Sequence, residues 1–452
     1  MNIIVVGCGE VGAVLTEQLS EEGYNLTVVD PSINNLKAIT NRLDVMGVVG
    51  NGASHTTLSE AGIATADLLI AVTNSDELNL LCCIIAKKES NCRTIARVRS
   101  HQYSREASYL KDELGLAMVI NPELASAAEI SRVLRFPSAI SIETFAKGRV
   151  ELLRFRLPEG SRLAGMSVKE VALKYKSDVL FCTAERGDED YIIKGDFVFE
   201  AGDVISIVAT PRSAAAFFGK IGHKTNAVKN VLIAGGNEIS DYLCSILEPA
   251  GVDIKLVDPR REVCERISTE FPSSTVICGD TSDQELLREE GIASREAFVA
   301  LTDSDEENIL LSLWGSSQTS GKVITKIKRI EYSDIVEHLK LDTVIYPKHV
   351  VTDSIIRYVR ATENTRGSNM ESLYHIIKDS VEASEFIIRE PSPIVGVPLF
   401  ELKFKSDVLI AAILRGGEVK IPRGSDTIEV GDTVILITRE MGLVDITDAL
   451  MS

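Results

Sequence analysis

Aromatic side chains make up only 5 % of this 452-residue chain, with a single tryptophan, and 48 basic residues face 66 acidic ones. The formal net charge of −18 opposes binding to a phosphodiester backbone, and the scarcity of aromatics removes the stacking platforms that single-stranded nucleic acid needs. Nucleic acid is therefore not an expected partner. The eight cysteines are scattered without a CxxC pair, and the six histidines offer no metal-ligand spacing. A reducing cytosol and no structural metal are expected. Cys82-Cys83 lies in the apolar run Leu78 to Ala86 and reads as two core thiols on a buried helix. That run falls short of the roughly 20 residues that span a bilayer, and the N-terminus starts on a strand pattern without a charged leader. Any work at a membrane would go through a partner.

What the chain does have is a duplication. Gly7-Cys8-Gly9-Glu10-Val11-Gly12 returns 228 residues later as Gly235-Gly236-Asn237-Glu238-Ile239-Ser240. Asp30 and Asp258, each closing an apolar run, keep that spacing, as do Leu58 and Leu286. From there the offset is 229: Thr73-Asn74-Ser75-Asp76-Glu77 becomes Thr302-Asp303-Ser304-Asp305-Glu306, Lys176-Ser177-Asp178-Val179-Leu180 becomes Lys405-Ser406-Asp407-Val408-Leu409, and Gly202-Asp203 becomes Gly431-Asp432. The second copy has gained one residue between the landmarks. A period this long marks duplicated domains, because solenoid repeats are about 20 to 50 residues. Length alone predicts about three domains; the repeat refines this to two units, each with a larger and a smaller subdomain.

Residues 2 to 135 alternate short apolar runs with amphipathic stretches, the pattern of a parallel, doubly wound sheet. After Phe136-Pro137 the pattern changes to strand pairs separated by Gly/Asp turns, with a short helix near Val168 to Leu173. The expected fold is α/β: two Rossmann-like domains, 1–136 and 229–361, each followed by a small α+β subdomain, 137–221 and 370–452. Gly222 to Lys229 reads as a linker, and Ala361 to Ser372 separates the last two pieces.

A lone GxGxxG is weak; here it follows a strand, opens a helix, and has an acid at the end of the next strand, 18 residues after Gly12. Gly7 permits the tight turn, Gly9 admits a pyrophosphate to the backbone, and Gly12 lets helix and strand pack closely. The pyrophosphate would sit on free N–H groups at the positive end of the helix dipole. Asp30 would accept from the ribose hydroxyls and repel a 2′-phosphate, and Pro31-Ser32-Ile33 supplies no arginine, so NAD(H) or an adenine nucleotide is favoured over NADP(H). In the second copy Asn237 and Ser240 replace two of the glycines, while Asp258 is followed by Arg260 and Arg261. These arginines read either as solvated surface charges or as holders of a phosphate, and the second site as empty, weaker or suited to a different nucleotide.

Asn74 with Glu77, and Asp303 with Glu306, read as capping boxes compatible with a binding role. Thr73 and Asn74, Gly50-Asn51-Gly52 and Arg97 all fall at the carboxyl edge of the predicted sheet, where ligands bind. Glu123 after Pro122 reads either as a first-turn acid or as a site residue; the second copy has Pro347-Lys348 there, so an acidic role is not duplicated.

These motifs, together with Ala-Arg-Val-Arg-Ser at 96 to 100, resemble the RCK (KTN) nucleotide-binding domains, in the tandem arrangement of Trk-type potassium-uptake regulators. The resemblance covers essentially the whole chain. It implies a cytoplasmic ring of RCK units, docked on the inner face of the cell membrane, that opens a potassium channel or transporter according to bound NAD(H), ATP or ADP. It carries nucleotide contacts onto Gly7, Cys8, Gly9, Glu10, Val11, Asp30, Thr73, Asn74 and Arg97, and onto Asp258, Thr302 and Asp303. With the residues read above, the candidate site adds Gly12, Asn51, Gly52 and Glu123 in the first copy and Gly235, Gly236, Asn237, Glu238 and Ile239 in the second. Two units per chain would make a homotetramer an eight-unit ring.

The fold alone does not choose between sensing a nucleotide and carrying a hydride. An NAD-dependent dehydrogenase would need an acid or base beside the nicotinamide; the first small subdomain has no histidine and the second only His375. A cytosolic sensor acting on a non-channel partner is the third class. Neither catalytic residues nor metal ligands are expected.

Overall fold

The computed structural model describes the chain apart from residues 101–102, 104–105, 188, 223–226, 330–335, 337, 340, 365–369, 378–379, 440–442, 444 and 452. Parts of the two expected linkers, 223–226 and 365–369, lie outside the described residues.

The first copy opens β1 (Asn2–Val6), α1 (Glu10–Glu21), β2 (Asn25–Asp30), α2 (Ile33–Thr40), β3 (Met46–Val49), α3 (His55–Glu60), β4 (Leu68–Ala71), α4 (Asp76–Glu89), β5 (Arg93–Arg97), α5 (Ala107–Glu113), β6 (Met118–Ile120) and α6 (Pro122–Arg135). All six strands are parallel, in the order β3-β2-β1-β4-β5-β6. Helices can cover both faces, and the central strands are accordingly continuous apolar runs: Ile3 to Val6 and Leu68 to Ala71 are buried throughout. On α1 the buried side chains Val11, Leu15 and Leu19 recur every four residues and form one stripe. The chain reverses between β1 and β4, so the crevice where such sheets take ligands opens beyond Val6 and Ala71.

The small subdomain follows as β7 (Ala139–Phe145), β8 (Val150–Arg156), α7 (Val168–Tyr175), β9 (Val179–Arg186), β10 (Glu189–Ile192), β11 (Val204–Ala209) and α8 (Pro211–Ile221). The five strands form an antiparallel sheet, β10-β9-β11-β8-β7, over a core holding Phe155, Phe181, Phe199, Phe217 and Phe218. Its Gly202-Asp203 landmark is a structural clamp: Gly202 turns at φ +93°, and buried Asp203 takes two hydrogen bonds from the Arg186 guanidinium, at 2.7 and 2.8 Å. Gly431, Asp432 and Arg415 repeat it, with φ +94° and bonds of 2.9 and 2.8 Å.

The second copy runs β12 (Asn230–Ala234), α9 (Glu238–Leu247), β13 (Asp253–Asp258), α10 (Arg261–Glu270), β14 (Thr275–Cys278), α11 (Gln284–Glu289), β15 (Ala297–Ala300), α12 (Asp305–Gln318), β16 (Lys322–Lys326), β17 (Thr343–Ile345) and α13 (Pro347–Asn364). It then continues through β18 (Met370–Ile377), β19 (Val381–Ile387), β20 (Val408–Arg415), β21 (Glu418–Lys420) and β22 (Thr433–Thr438). The sheets β14-β13-β12-β15-β16-β17 and β18-β19-β22-β20-β21 reproduce the topology of the first copy. Phe145 and Val150 share a core with Val381 and Ile435, and the Phe145 and Tyr374 rings meet at 4.4 Å, so the two small sheets are packed together.

Two compact units result, and they cut across the repeat. Met1–Ala127 is joined by Tyr346–Ile356, the first turns of α13, while Ala128–Ile345 and Arg357–Ser452 form the other. The first turns of α13, a helix of the second copy, therefore belong with the first Rossmann-like domain.

Candidate functional site

The glycines of the first copy have three distinct environments. Gly7 turns at φ +99°, and a Cβ there would stand 2.9 Å from Thr73 N, so the end of β1 lies against the end of β4 at the crevice. A Cβ on Gly12 would come within 1.8 Å of Gly7 O, so that residue is needed for α1 to close on the turn. At Gly9 a Cβ would meet nothing within 4 Å. Gly9 is also the N-cap of α1 and supplies no side-chain acceptor, which leaves the first-turn N–H groups of α1 without a side-chain cap beside open space. Val11 turns its side chain into the core, so it can offer a ligand only its backbone, whereas Glu10 is exposed.

Asp30 accepts from Cys8 N at 2.8 Å, Ser32 N at 2.8 Å and Asn35 Nδ2 at 3.2 Å. A carboxylate has about four acceptor positions, so about one remains for a ribose hydroxyl. Burial and then the charge of Asp30 push the Cys8 thiol up to about 12, and it stays protonated and unreactive. Across the crevice, Thr73 donates N–H and Oγ1 to Asn79 Oδ1 at 2.8 and 2.7 Å, and Asn74 is exposed. Asn51 forms a local turn, its Oδ1 accepting from Ala53 N at 3.0 Å, and a Cβ on Gly52 would strike Val6. Arg97, at the end of β5, pairs with Glu123 at 3.4 Å. Burial lowers the pKa of Arg97 and Glu123 only partly compensates; Arg97 Nε and Glu123 Oε2 are both buried without a hydrogen-bond partner among the described residues. Such orphaned atoms are the capacity a polar ligand would satisfy. The open Gly9, the uncapped helix start, the spare acceptor on Asp30 and the orphaned Arg97 Nε together fit a nucleotide.

In the second copy these vacancies are filled by the chain itself. Gly235 turns as Gly7 does, at φ +104°. Asn237, at the position of Gly9, accepts from Ile239 N and Ser240 N at 3.1 and 3.3 Å and donates to Leu301 O. Its carboxamide oxygen thus caps α9 where a phosphate oxygen would bind. Ser240 Oγ donates to Gly235 O at 2.5 Å. Glu238 is exposed and Ile239 buried, like Glu10 and Val11. Asp258 accepts from Gly236 N, Arg260 N, Arg260 Nε and Arg260 Nη2 at 2.7 to 2.9 Å, which uses about all four acceptor positions. Burial acts to raise the pKa of Asp258, but the Arg260 guanidinium and the two backbone N–H groups outweigh it and hold the carboxyl below its ordinary value. Of the two arginines, Arg260 is thus committed to Asp258, while Arg261 pairs with Glu265 on the surface of α10. Thr302 and Asp303 sit at the edge as expected; Asp303 faces Arg260 at 3.4 Å and Lys328 at 3.2 Å.

The capping boxes expected on Asn74 and Asp303 are shifted by one residue. Ser75 is the N-cap of α4 and accepts from Leu78 N, and Ser304 caps α12 and accepts from Glu307 N. The hydroxyl, being shorter, reaches its own helix start, and Asn74 and Asp303 are left to face the crevice. Two pairs of structural residues and one lysine were given no role in the sequence reading. Asn79 and Asn308, both fully buried, tie the ends of β4 to β5 and β15 to β16, with Nδ2 donating to Arg97 O at 2.9 Å and to Lys326 O at 3.0 Å. Asp76 and Asp305 each accept two backbone N–H groups beyond β5 and β16. Lys326 occupies the place of Arg97 in the repeat and donates to Leu301 O at 2.9 Å. Their signal was the 229-residue recurrence of Asn, Asp and a cation at these places.

Fold and site together define a tandem nucleotide-fold protein with one open and one self-filled fingerprint. The TrkA-N domain family matches residues 3–122 and 231–347, and the TrkA-C domain family matches 152–222 and 383–447. The chain is 31 % identical over 439 residues to the Trk system potassium uptake protein TrkA homolog of Archaeoglobus fulgidus, covering 97 % of each, and 31 % identical to the Trk system potassium uptake protein TrkA of Halomonas elongata, covering 96 % of this chain and 95 % of that one. Among solved structures, a GsuK channel described as bound to NAD shares the fold, with a TM-score of 0.65 at 17 % identity over 97 % of this chain and 77 % of that one. The chain belongs to the TrkA family, a family of potassium-uptake proteins and not of enzymes. Among the described residues, no helix is long and apolar enough to cross a membrane.

Proposed function

We propose that the chain is a peripheral cytoplasmic subunit that binds NAD(H), ATP or ADP and thereby gates a Trk- or Ktr-type potassium channel or transporter. The observation that carries the sensing role is the open first fingerprint, with an uncapped α1 start over Gly9 beside an Asp30 that keeps a spare acceptor position. The pyrophosphate would lie on the N–H groups that open α1, Asp30 would take the ribose, and Arg97 would turn its orphaned Nε to the ligand. Thr73, Asn74, Asn51, Gly52 and Glu123 would line the crevice. Asp258, Thr302 and Asp303 would contact a nucleotide only weakly, because Arg260 competes for the acids.

The potassium-uptake names of the relatives support the choice of partner, and the pore in this reading is the partner's. Subdomains 1–136, 137–221, 229–361 and 370–452 would make each chain two RCK units, and four chains an eight-unit ring on the inner membrane face. In support of repeated contacts between like units, α4 exposes Leu81 and Ile84, and α12 exposes Leu310 and Leu313 at the matching places. A nucleotide can drive the ring only through unequal affinity for its two shapes; about 1 to 3 kcal/mol is the usual scale of such coupling. Potassium flux into liposomes carrying the partner is expected to respond to ATP, ADP or NAD(H) only when this chain is present; identical nucleotide dependence without it refutes the reading.

A further inference from the structure

The first turns of α13 belong to the compact unit of the first copy, and they bring Lys348 with them: its Nζ lies 3.2 Å from Glu10 Oε2. Glu10 is the first residue of α1, immediately after the open Gly9. We infer that Lys348, supplied by the second copy, is a phosphate-binding cation of the first nucleotide site. The inference rests on the reading of that site as a nucleotide site and names a residue that the fingerprint does not contain.

The bland alternative is a surface ion pair, and the exposures argue against it. The Lys348 side chain is 13 % exposed while its partner Glu10 is 71 % exposed. A lysine side chain largely withdrawn from water gains little from a carboxylate that water already solvates, so the pair does not account for the placement of Lys348. Glu10 is the only carboxylate within 4 Å of Lys348 Nζ among the described residues. A lysine has three N–H donors, so donors remain for an anion. An anion is also what the mouth of the site favours, since α1 begins there without a side-chain cap. Glu10 by itself would repel a phosphate, and Lys348 cancels that charge. The repeat underlines the specialisation: the matching position of the first copy is Glu123, which pairs with Arg97. Helices α6 and α13 thus place an acid against a cation of the site and a cation against an acid of the site. A ligand held by Lys348 would also hold residues 346–356 on the first unit, which links occupancy of the first site to a segment of the second copy.

The test is calorimetric titration of the full chain with adenosine, AMP, ADP, ATP and NADH, comparing the wild type with Lys348→Met and Lys348→Arg. Loss of one charge-assisted hydrogen bond predicts that Lys348→Met weakens ADP and ATP by about tenfold or more, leaves adenosine unchanged, and that Lys348→Arg restores most of the affinity. Hydrogen exchange in 346–356 is expected to slow on adding ADP to the wild type but not to Lys348→Met. Equal ADP affinity in the wild type and Lys348→Met overturns the inference and leaves the first site standing. If the wild type binds none of these ligands, the first-site reading falls with it. Should Lys348→Met not fold, Glu10→Gln, a change at an exposed position, is expected to tighten ADP about threefold by releasing the lysine; unchanged or weaker ADP binding would overturn the inference.

Discussion

The two fingerprints share a backbone and differ in who fills it. In the first copy the N–H groups opening α1 have no side-chain cap and Asp30 keeps an acceptor position. In the second, the Asn237 carboxamide caps α9 and the Arg260 guanidinium saturates Asp258. Both copies keep the left-handed first glycine and the strand-end acid, so these mark the fold. The position of Gly9 and the residue two beyond the acid, Ser32 or Arg260, decide whether a ligand is needed. A tethered side chain has the advantage over a free nucleotide because its partners are already within reach.

The largest expected effect comes from making the first copy resemble the second. Gly9→Asn has room for its side chain, and at an N-cap asparagine is at least as favourable as glycine, so the fold is expected to hold. The asparagine would cap α1 as Asn237 caps α9, and the bulk of Gly9→Trp would fill the same space. Either variant should lower nucleotide affinity at the first site by about a hundredfold or more, through lost bonds between phosphate and backbone. Unchanged affinity by calorimetry would remove the first-site assignment. Gly7 and Gly12 cannot serve for this test, because side chains there strike Thr73 and the Gly7 carbonyl and would unfold the turn.

Next in size is the reverse exchange, Asn237→Gly with Arg260→Ser. It frees the start of α9 and about two acceptor positions on Asp258, and should raise second-site affinity by about tenfold or more, moving the binding stoichiometry from one toward two per chain. A wild type that already binds two equivalents with equal, high affinity would contradict the comparison directly.

Much of this was legible in the sequence because the repeat tests itself. The alternation of apolar runs, the acid closing β2 and β13, and the replacements Asn237 and Ser240 needed no coordinates. Three things were not legible. The strand β7 and the helix α8 were missed, the latter because Ala214 to Ala216 carry little periodicity and its buried face rests on Phe217, Phe218 and Ile221 at one end. Arg260 reads as either a surface charge or a phosphate holder until the two bonds from its guanidinium to Asp258 are seen. The delivery of Lys348 to Glu10 depends on the path of α13, which no local pattern encodes.

A smaller effect is expected from Asp30→Ala, which removes the proposed ribose acceptor and should weaken ATP, ADP and NADH by about tenfold. Asp30 also holds Cys8 N and Ser32 N, so a loss of roughly 1–3 kcal/mol in stability is expected alongside. Asp258→Ala should give the same loss of stability with almost no change in total nucleotide binding, and equal binding losses in the two variants would erase the distinction between the copies.

The smallest effect leaves nucleotide binding at the first site untouched and concerns the cations at the ends of β5 and β16. Burial, then the neighbouring Lys328, lowers the pKa of Lys326 from 10.5 to about 8, against partial compensation by Asp303 and Asp305. Between about 8 and 10.5 the unfolded chain holds a proton on this lysine that the folded chain lacks, so its contribution to stability improves as pH rises through that window. Below about 8 both states are protonated and the cost of the buried charge is fully present. The slope is on the order of 1 kcal/mol per pH unit. The thiols of Cys8, Cys82 and Cys244, raised from 9.0 to about 12, act in the opposite sense once pH passes 9, which makes pH 8 to 9 the informative interval. Lys326→Met should flatten the rise in thermal stability there, while Arg97→Met, in the first copy, should leave it intact, because an arginine does not titrate in that range. A pH profile identical in the wild type and Lys326→Met would show that the second copy does not hold a strained, half-neutral cation where the first keeps a permanent one.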